Sequence, residues 1–196
     1  MLSAMLGRPW RIFPLARRFG EIHAQIHQIE APHGEGEVPE AVASRLDQLE
    51  ASDAWLRDWA RRELEQLPRD GALLHGDYHP LNLLMEDSNP VVIDWPGASA
   101  GPPEADIAQT LVLIKASDPP NRSPLILKLL RALRTRLFMP LYLRGCRRVG
   151  EFDRELVNRW RMVRPVERLA VAPANEERAL RRMIRESGGP RDFGPT

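Results

Sequence analysis

A single cysteine, Cys146, occurs in the 196 residues, so no internal disulfide framework can form. That scarcity suits a reducing compartment and predicts a cytoplasmic protein. Lysine is almost as rare. Lys115 and Lys128 are the only two, and arginine supplies nearly all the positive charge. No run of about 18 apolar residues is present, which argues against a membrane-spanning helix. The first acidic residue is Glu21, and the arginines before it flank no secretory apolar core. There is no internal repeat.

What is present describes a folding chain. Hydrophobic residues make up 43%, enough to build a core rather than remain disordered. The length fits one domain or one large lobe of a bigger protein. Formal net charge is +1, but it is unevenly placed: residues 1–110 carry 18 Asp+Glu against 9 Lys+Arg, and residues 111–196 carry 9 against 19. This asymmetry fits a basic binding face, two halves that attract each other, or solvated helix faces.

Apolar spacing predicts a helix over 14–30, with Leu15, Phe19, Ile22, Ile26 and Ile29 on one stripe. Pro32 and the glycines at 34 and 36 break it. A shorter helix is expected over 39–50. Asp53 is placed to cap a third, carrying Trp55, Leu56, Trp59 and Leu64. Then the period changes. Ala72–Leu74, Leu83–Met85 and Val91–Ile93 read as short strands, the last two as a hairpin turning over Asp87–Pro90. The Gly/Pro-rich stretch 96–103 reads as a break. Helices are expected from Pro103 to Lys115, from Ser123 with an interruption at Pro140, over 152–171 and over 175–186. Residues 188–196 read as a frayed tail.

The informative segment lies among the strands. His75-Gly-Asp77-Tyr-His-Pro-Leu-Asn82 is followed, just past an apolar run, by Asp94. Phosphoryl transfer needs a carboxylate to orient or deprotonate the attacking hydroxyl, and a carboxamide with a second carboxylate to hold Mg²⁺ against nucleotide phosphates. The protein-kinase catalytic loop is written H-R-D-x-x-x-x-N, with the D-F-G aspartate beyond it. Here the order is H-G-D-x-x-x-x-N, then Asp94-Trp95-Pro96. Plain turns also favour Asp and Asn, but a fixed spacing between two strands with a second acid is more than a turn.

These residues resemble the aminoglycoside phosphotransferase and choline kinase-like family, relatives of protein kinases. The likeness is strongest over His75–Asn82, Val92–Trp95 and Gly101-Pro102 with Asp106-Ile107-Ala108. It implies a protein kinase-like C-lobe, α+β and mainly α: a helical bundle with a small β-hairpin carrying the catalytic loop. One lobe is expected over 1–187, with its catalytic loop at 75–82 and its metal-binding loop at 93–97. By this resemblance Asp77 is the catalytic base, Asn82 and Asp94 are Mg²⁺ ligands, His75 supports the loop and Asp106 braces it. ATP or another nucleoside triphosphate is the implied donor. Complete members also carry an N-terminal sheet lobe with a phosphate-covering loop and a phosphate-gripping lysine. No G-x-G-x-x-G precedes His75, so the expected N-lobe is absent from this sequence. Leu81 and Pro96 stand where the family often has Gly and an acid.

Other clusters have plainer readings. His23 and His27 share a helix face but lack an evident third metal ligand, so core or supporting contacts are expected. Cys146, beside Arg147, is a place where a thiol pKa can be lowered. Trp160 with Arg159, Arg161 and Arg164 fits helix packing under long arginine stems, or stacking on a ligand. The positive C-terminal half favours a neutral or anionic small hydroxylated acceptor over a polycation. Three readings follow: an ATP- and Mg²⁺-dependent small-molecule kinase represented by its C-lobe, a non-catalytic remnant or binding module, and an anion- or nucleic-acid-binding helical protein. No nucleic-acid motif supports the last. A missing lobe predicts an open apolar face near Leu2, Met5, Leu6, Trp10, Leu83 and Met85, met by an N-lobe polypeptide or by self-association.

Overall fold

The computed structural model describes residues 12–31, 37–69, 71–86, 89–116, 129 and 132–189. In order, the elements are α1 (Ile12–Ile26), α2 (Val38–Leu46), a 3-10 turn (Ala51–Asp53), α3 (Ala54–Leu64), β1 (Ala72–Leu74), β2 (Leu83–Glu86), β3 (Asn89–Val92), β4 (Ser99–Gly101), α4 (Pro103–Ala116), α5 (Met139–Val149), α6 (Arg154–Leu169) and α7 (Ala174–Glu186). The expected α+β, mainly helical architecture is present. Among the described residues the only strands are these four, in two antiparallel pairs.

Helix α4 is the axis of the fold. Twelve of its residues are buried, polar ones among them, so it has no solvent face. Such a helix sits inside a core rather than on a surface. Its buried polar groups therefore need partners. Glu104 accepts the Asp153 amide at 2.9 Å, Thr110 donates to the Tyr78 carbonyl at 3.0 Å, and Asp106 takes four donors described below.

Helices α1 and α5 cross at two glycines. A Cβ on Gly20 would lie 2.0 Å from the Tyr142 carbonyl oxygen, and one on Gly145 would lie 2.0 Å from that of Arg17. Only glycine permits this backbone approach. The crossing sets Phe19 and Tyr142 side by side, with ring centroids 5.6 Å apart.

Several expectations change. The stretch 96–103 holds a strand: β4 pairs with β1 in the register Leu73↔Ala100. A three-residue strand defined by a distant partner has no periodicity to betray it. The chain also stays helical through Pro140. A π-helical turn over Arg134–Phe138 precedes α5, and Pro140 falls in its first turn, where a missing N–H costs little. The helix expected from Ser123 begins outside the described residues. Asp53 does not cap α3. Its carboxylate takes both Nη groups of Arg181, at 2.9 and 2.8 Å, because a charge-assisted pair outcompetes a neutral amide. Ile29 lies past the end of α1 and is exposed.

The hairpin face also differs. Leu83 is buried, whereas Leu84 and Val91 are exposed, as alternation along a two-stranded pair requires. Leu2, Met5, Leu6, Trp10 and the Met85 side chain lie outside the described residues. Trp55 and Trp59 pack against the core and Trp160 is wholly inside it. Gly188, at φ +85°, turns the chain after α7, and the rest of the expected tail, from 190, is undescribed.

Candidate active site

Strand β1 delivers His75 into the loop 75–82, and β3 delivers Asp94 into the loop 93–97. The two loops meet through backbone. Gly76 has φ +76°, and a Cβ there would lie 2.1 Å from the Gly97 carbonyl oxygen. The Ile93 amide donates to the Asn82 carbonyl at 3.0 Å, so the residue after that bond is Asp94.

His75 ties the loops together. Its ring is fully buried. Nε2 bonds the Ile93 carbonyl at 3.0 Å, and Nδ1 lies 3.2 Å from the Asp77 amide. A carbonyl only accepts and an amide only donates, so the ring is the neutral Nε2–H tautomer. Trp95 packs on it at 4.5 Å between centroids.

Asp77 is half-buried, with Oδ2 3.5 Å from His79 Nε2. Burial alone would raise its pKa. His79, by hydrogen bonding and charge, outweighs that and holds the carboxyl below its usual range. Asn82 turns its amide nitrogen toward Asp77, 3.0 Å from the carbonyl and 3.4 Å from Oδ2. Both partners are acceptors, so the NH₂ must face them, and Asn82 Oδ1 is left for another partner. Asp94 is exposed and has φ +67°, the only non-glycine positive φ among the described residues. Such a backbone is a strained choice that aspartate tolerates better than most side chains.

Beneath the loops lies Asp106. Oδ2 accepts the His75 amide at 2.7 Å, His23 Nε2 at 2.9 Å and His27 Nε2 at 3.2 Å; Oδ1 accepts the Gly76 amide at 3.0 Å. Burial by itself would push the Asp106 carboxyl up. The charge and hydrogen bonds of His23, with those of His27, overcome it and hold the group well below the ordinary range. Burial dominates at His23 and lowers it to about 4, against the pull of Asp106. At neutral pH His23 is therefore uncharged: Nε2 donates to Asp106 and Nδ1, at 2.7 Å, accepts from the Tyr142 hydroxyl.

His23, His27 and Asp106 thus form the third-ligand set that the sequence concealed. It does not suit a metal. Oδ2 already has three donors, and each Nε2 is spent as an N–H. Sequence reasoning also missed Tyr78. It is fully buried, stacks on His23 at 4.0 Å and on Phe19 at 4.3 Å, and donates to the Phe19 carbonyl at 2.8 Å. The available signal was an aromatic inside an otherwise polar loop. Cys146 is corrected too: burial pushes its thiol up to about 12, so it is not an activated nucleophile.

The profile of the phosphotransferase enzyme family matches residues 12–144, which include both loops and all the residues above except Cys146. The chain belongs to that family. No curated protein sequence matches it. Among solved structures it resembles an amicoumacin kinase in complex with AMP-PNP, Ca²⁺ and Ami, at 18% identity and TM-score 0.58, covering 93% of this chain and 61% of that one. It also resembles glucosamine kinase, at 18% identity and TM-score 0.53, covering 89% of this chain and 52% of that one. A glucosamine kinase in complex with glucosamine, ADP and inorganic phosphate gives 19%, 0.52, 91% and 50%. The fold is kinase-like, and the chain spans between 50% and 61% of these kinases' lengths.

Proposed function

We propose that the chain carries the catalytic lobe, over residues 1–187, of a nucleoside triphosphate- and Mg²⁺-dependent kinase of small hydroxylated molecules, working in the cytoplasm. The acceptor is neutral or anionic. The observation that supports this best is the Asp77–Asn82 contact, together with the Asn82 main-chain carbonyl that accepts the amide of Ile93, the residue before Asp94. A carboxamide oxygen and a carboxylate are the hard donors Mg²⁺ takes, with water completing its shell. When bound, the ion supplies positive charge to the donor's phosphate oxygens.

The chain's own residues do the rest. Asp77, kept ionised by His79, accepts the proton of the acceptor hydroxyl. The hydroxyl oxygen forms a bond to the terminal phosphorus as the bridging P–O bond breaks, and the nucleoside diphosphate leaves with that electron pair. His75 and Asp106 fix where Asp77 sits, because positioning supplies much of the rate in this reaction. The lowered pKa keeps Asp77 available as a base throughout the neutral range.

Mn²⁺ binding followed by electron paramagnetic resonance, beside transfer from labelled ATP to a panel of sugars and amino sugars, tests the reading. Asn82→Ala and Asp94→Ala should each abolish tight Mn²⁺ binding while the fold is kept. Unchanged Mn²⁺ affinity in both variants would remove the metal assignment.

A further inference from the structure

Four arginines surround one cavity away from the loops. It has a volume of about 540 Å³ and opens between α4, α5 and α6. Arg144 and Arg147 come from α5, and Arg154 and Arg161 from α6. No residue of 75–82 or 93–97 lines it.

None of these four guanidinium groups is in an ion pair among the described residues. Arg45, Arg61, Arg164, Arg168 and Arg181 each pair with a carboxylate. Around the cavity, Arg147 lies over the Phe152 ring at 5.0 Å, and Arg161 donates to the Asn158 carboxamide at 3.2 Å. Arg144 and Arg154 have no ion-pair partner among the described residues. Asp153 accepts the Glu155 amide at 2.8 Å, and Glu186, whose charge also acts on Arg161, takes Lys115 at 2.6 Å. Burial lowers the proton affinity of Arg161, a sign that its charge stands where water screens poorly.

Four like charges gathered about one hollow repel one another. An anion removes that repulsion and meets planar forks shaped for oxyanions. The volume lies within the usual range for small-molecule sites, roughly 300–1,000 Å³. Leu111, Leu143, Phe152 and Val157 give the remaining wall an apolar character. Two phosphate groups carry about −3 to −4 at neutral pH, near the charge of the four arginines.

We propose that this cavity binds a small molecule bearing two phosphate groups, with a ring or apolar body against Phe152. The site is separate from the catalytic loops, and it stands whether or not the phosphotransfer reading holds.

Calorimetry with inorganic pyrophosphate, in chelator to remove divalent cations, is the test. Binding should be present, should weaken with salt, and should fall at least tenfold in the exposed-residue variant Arg144→Gln/Arg154→Gln. It should persist unchanged in Asn82→Ala/Asp94→Ala, which separates it from the catalytic loops. If circular dichroism shows the double arginine variant unfolded, Arg147→Gln replaces it with the same expected loss. Citrate serves as the polycarboxylate arm and should bind several-fold more weakly. Absence of pyrophosphate binding, or binding indifferent to the arginine changes, overturns the site. Citrate binding as tight as pyrophosphate overturns the phosphate assignment.

Discussion

The Asp106 carboxylate accepts the His75 backbone amide at 2.7 Å across 31 residues of sequence. The same oxygen receives His23 from α1 and His27 just past its end, and its neighbour receives Gly76. One fully buried side chain thus joins the first helix, the central helix and the start of the loop holding Asp77. Loop geometry and core integrity rest on the same group.

Replacing Asp106 with Asn should therefore cost stability as well as loop order. The amide has one acceptor oxygen for four donors and adds a donor facing the histidines. Breaking a buried charged network by removing one partner costs about 3–5 kcal/mol. Urea denaturation should show a loss of that order. A loss below about 1 kcal/mol would mean the network is not what holds the loop.

Acid should destabilise the fold before ordinary carboxylates titrate. His23 drops from 6.5 to about 4 on folding. Between those values the unfolded chain binds the extra proton, so stability rises with pH through this window and is lost as pH falls through it. At about 1.4 kcal/mol per unit the full loss is roughly 3–4 kcal/mol. Asp106, lowered well below 3.8, adds a further loss at still lower pH. Melting temperature followed from pH 7.5 to 4.5 should fall below about pH 6.5. His23→Gln should flatten that slope, and an unaltered slope in this variant would assign the acid sensitivity elsewhere.

The chain of 196 residues should bind Mg-ATP weakly by itself. On the proposed reading it supplies Asn82 and Asp94, but its sequence has no G-x-G-x-x-G before His75 to hold the phosphates. Calorimetry should find an affinity no tighter than the high micromolar range. Low-micromolar binding would reveal a nucleotide contact outside these loops.

How much of this was legible depends on distance along the chain. The 75–82 spacing could be read because its residues are local, and the hairpin showed as two apolar runs beside a turn. The hydrophobic stripe placed α1, though not its end. Long-range partnerships could not be read. Nothing near Ser99–Gly101 announces pairing with Ala72–Leu74, and nothing near Asp53 announces Arg181. The His23–His27 pair was visible by spacing, but Asp106 reaches it only once α4 packs inside the bundle. Cys146 misled because a neighbouring arginine in sequence says little about burial.

Glycine at the α1–α5 crossing should prove indispensable. A methyl on Gly20 or Gly145 meets carbonyl oxygen at 2.0 Å, and backbone cannot swing aside as a flexible side chain can. Gly20→Ala or Gly145→Ala must separate the helices, which pulls Tyr142 from His23. Overpacking of this kind costs about 1–3 kcal/mol or more. Thermal melts should fall by several degrees, more for the double variant. Unchanged melts would show that the helices can part without strain.

Asp94 offers a contrast, because there function and stability should move in opposite directions. Its backbone at φ +67° suits glycine, and the side chain makes no ion pair among the described residues. Asp94→Gly removes the unfavourable conformation, although the more flexible unfolded chain offsets part of the gain. The melting temperature should hold steady or rise by a degree or two. Divalent cation binding should be lost together with any phosphoryl transfer. Asp94→Ala keeps the strain without the carboxylate, so it should melt below Asp94→Gly and bind metal no better. Together the two variants separate the backbone from the side chain. If Asp94→Gly instead melted well below the parent while Asp94→Ala did not, the carboxylate would be spared and the backbone argument would fail.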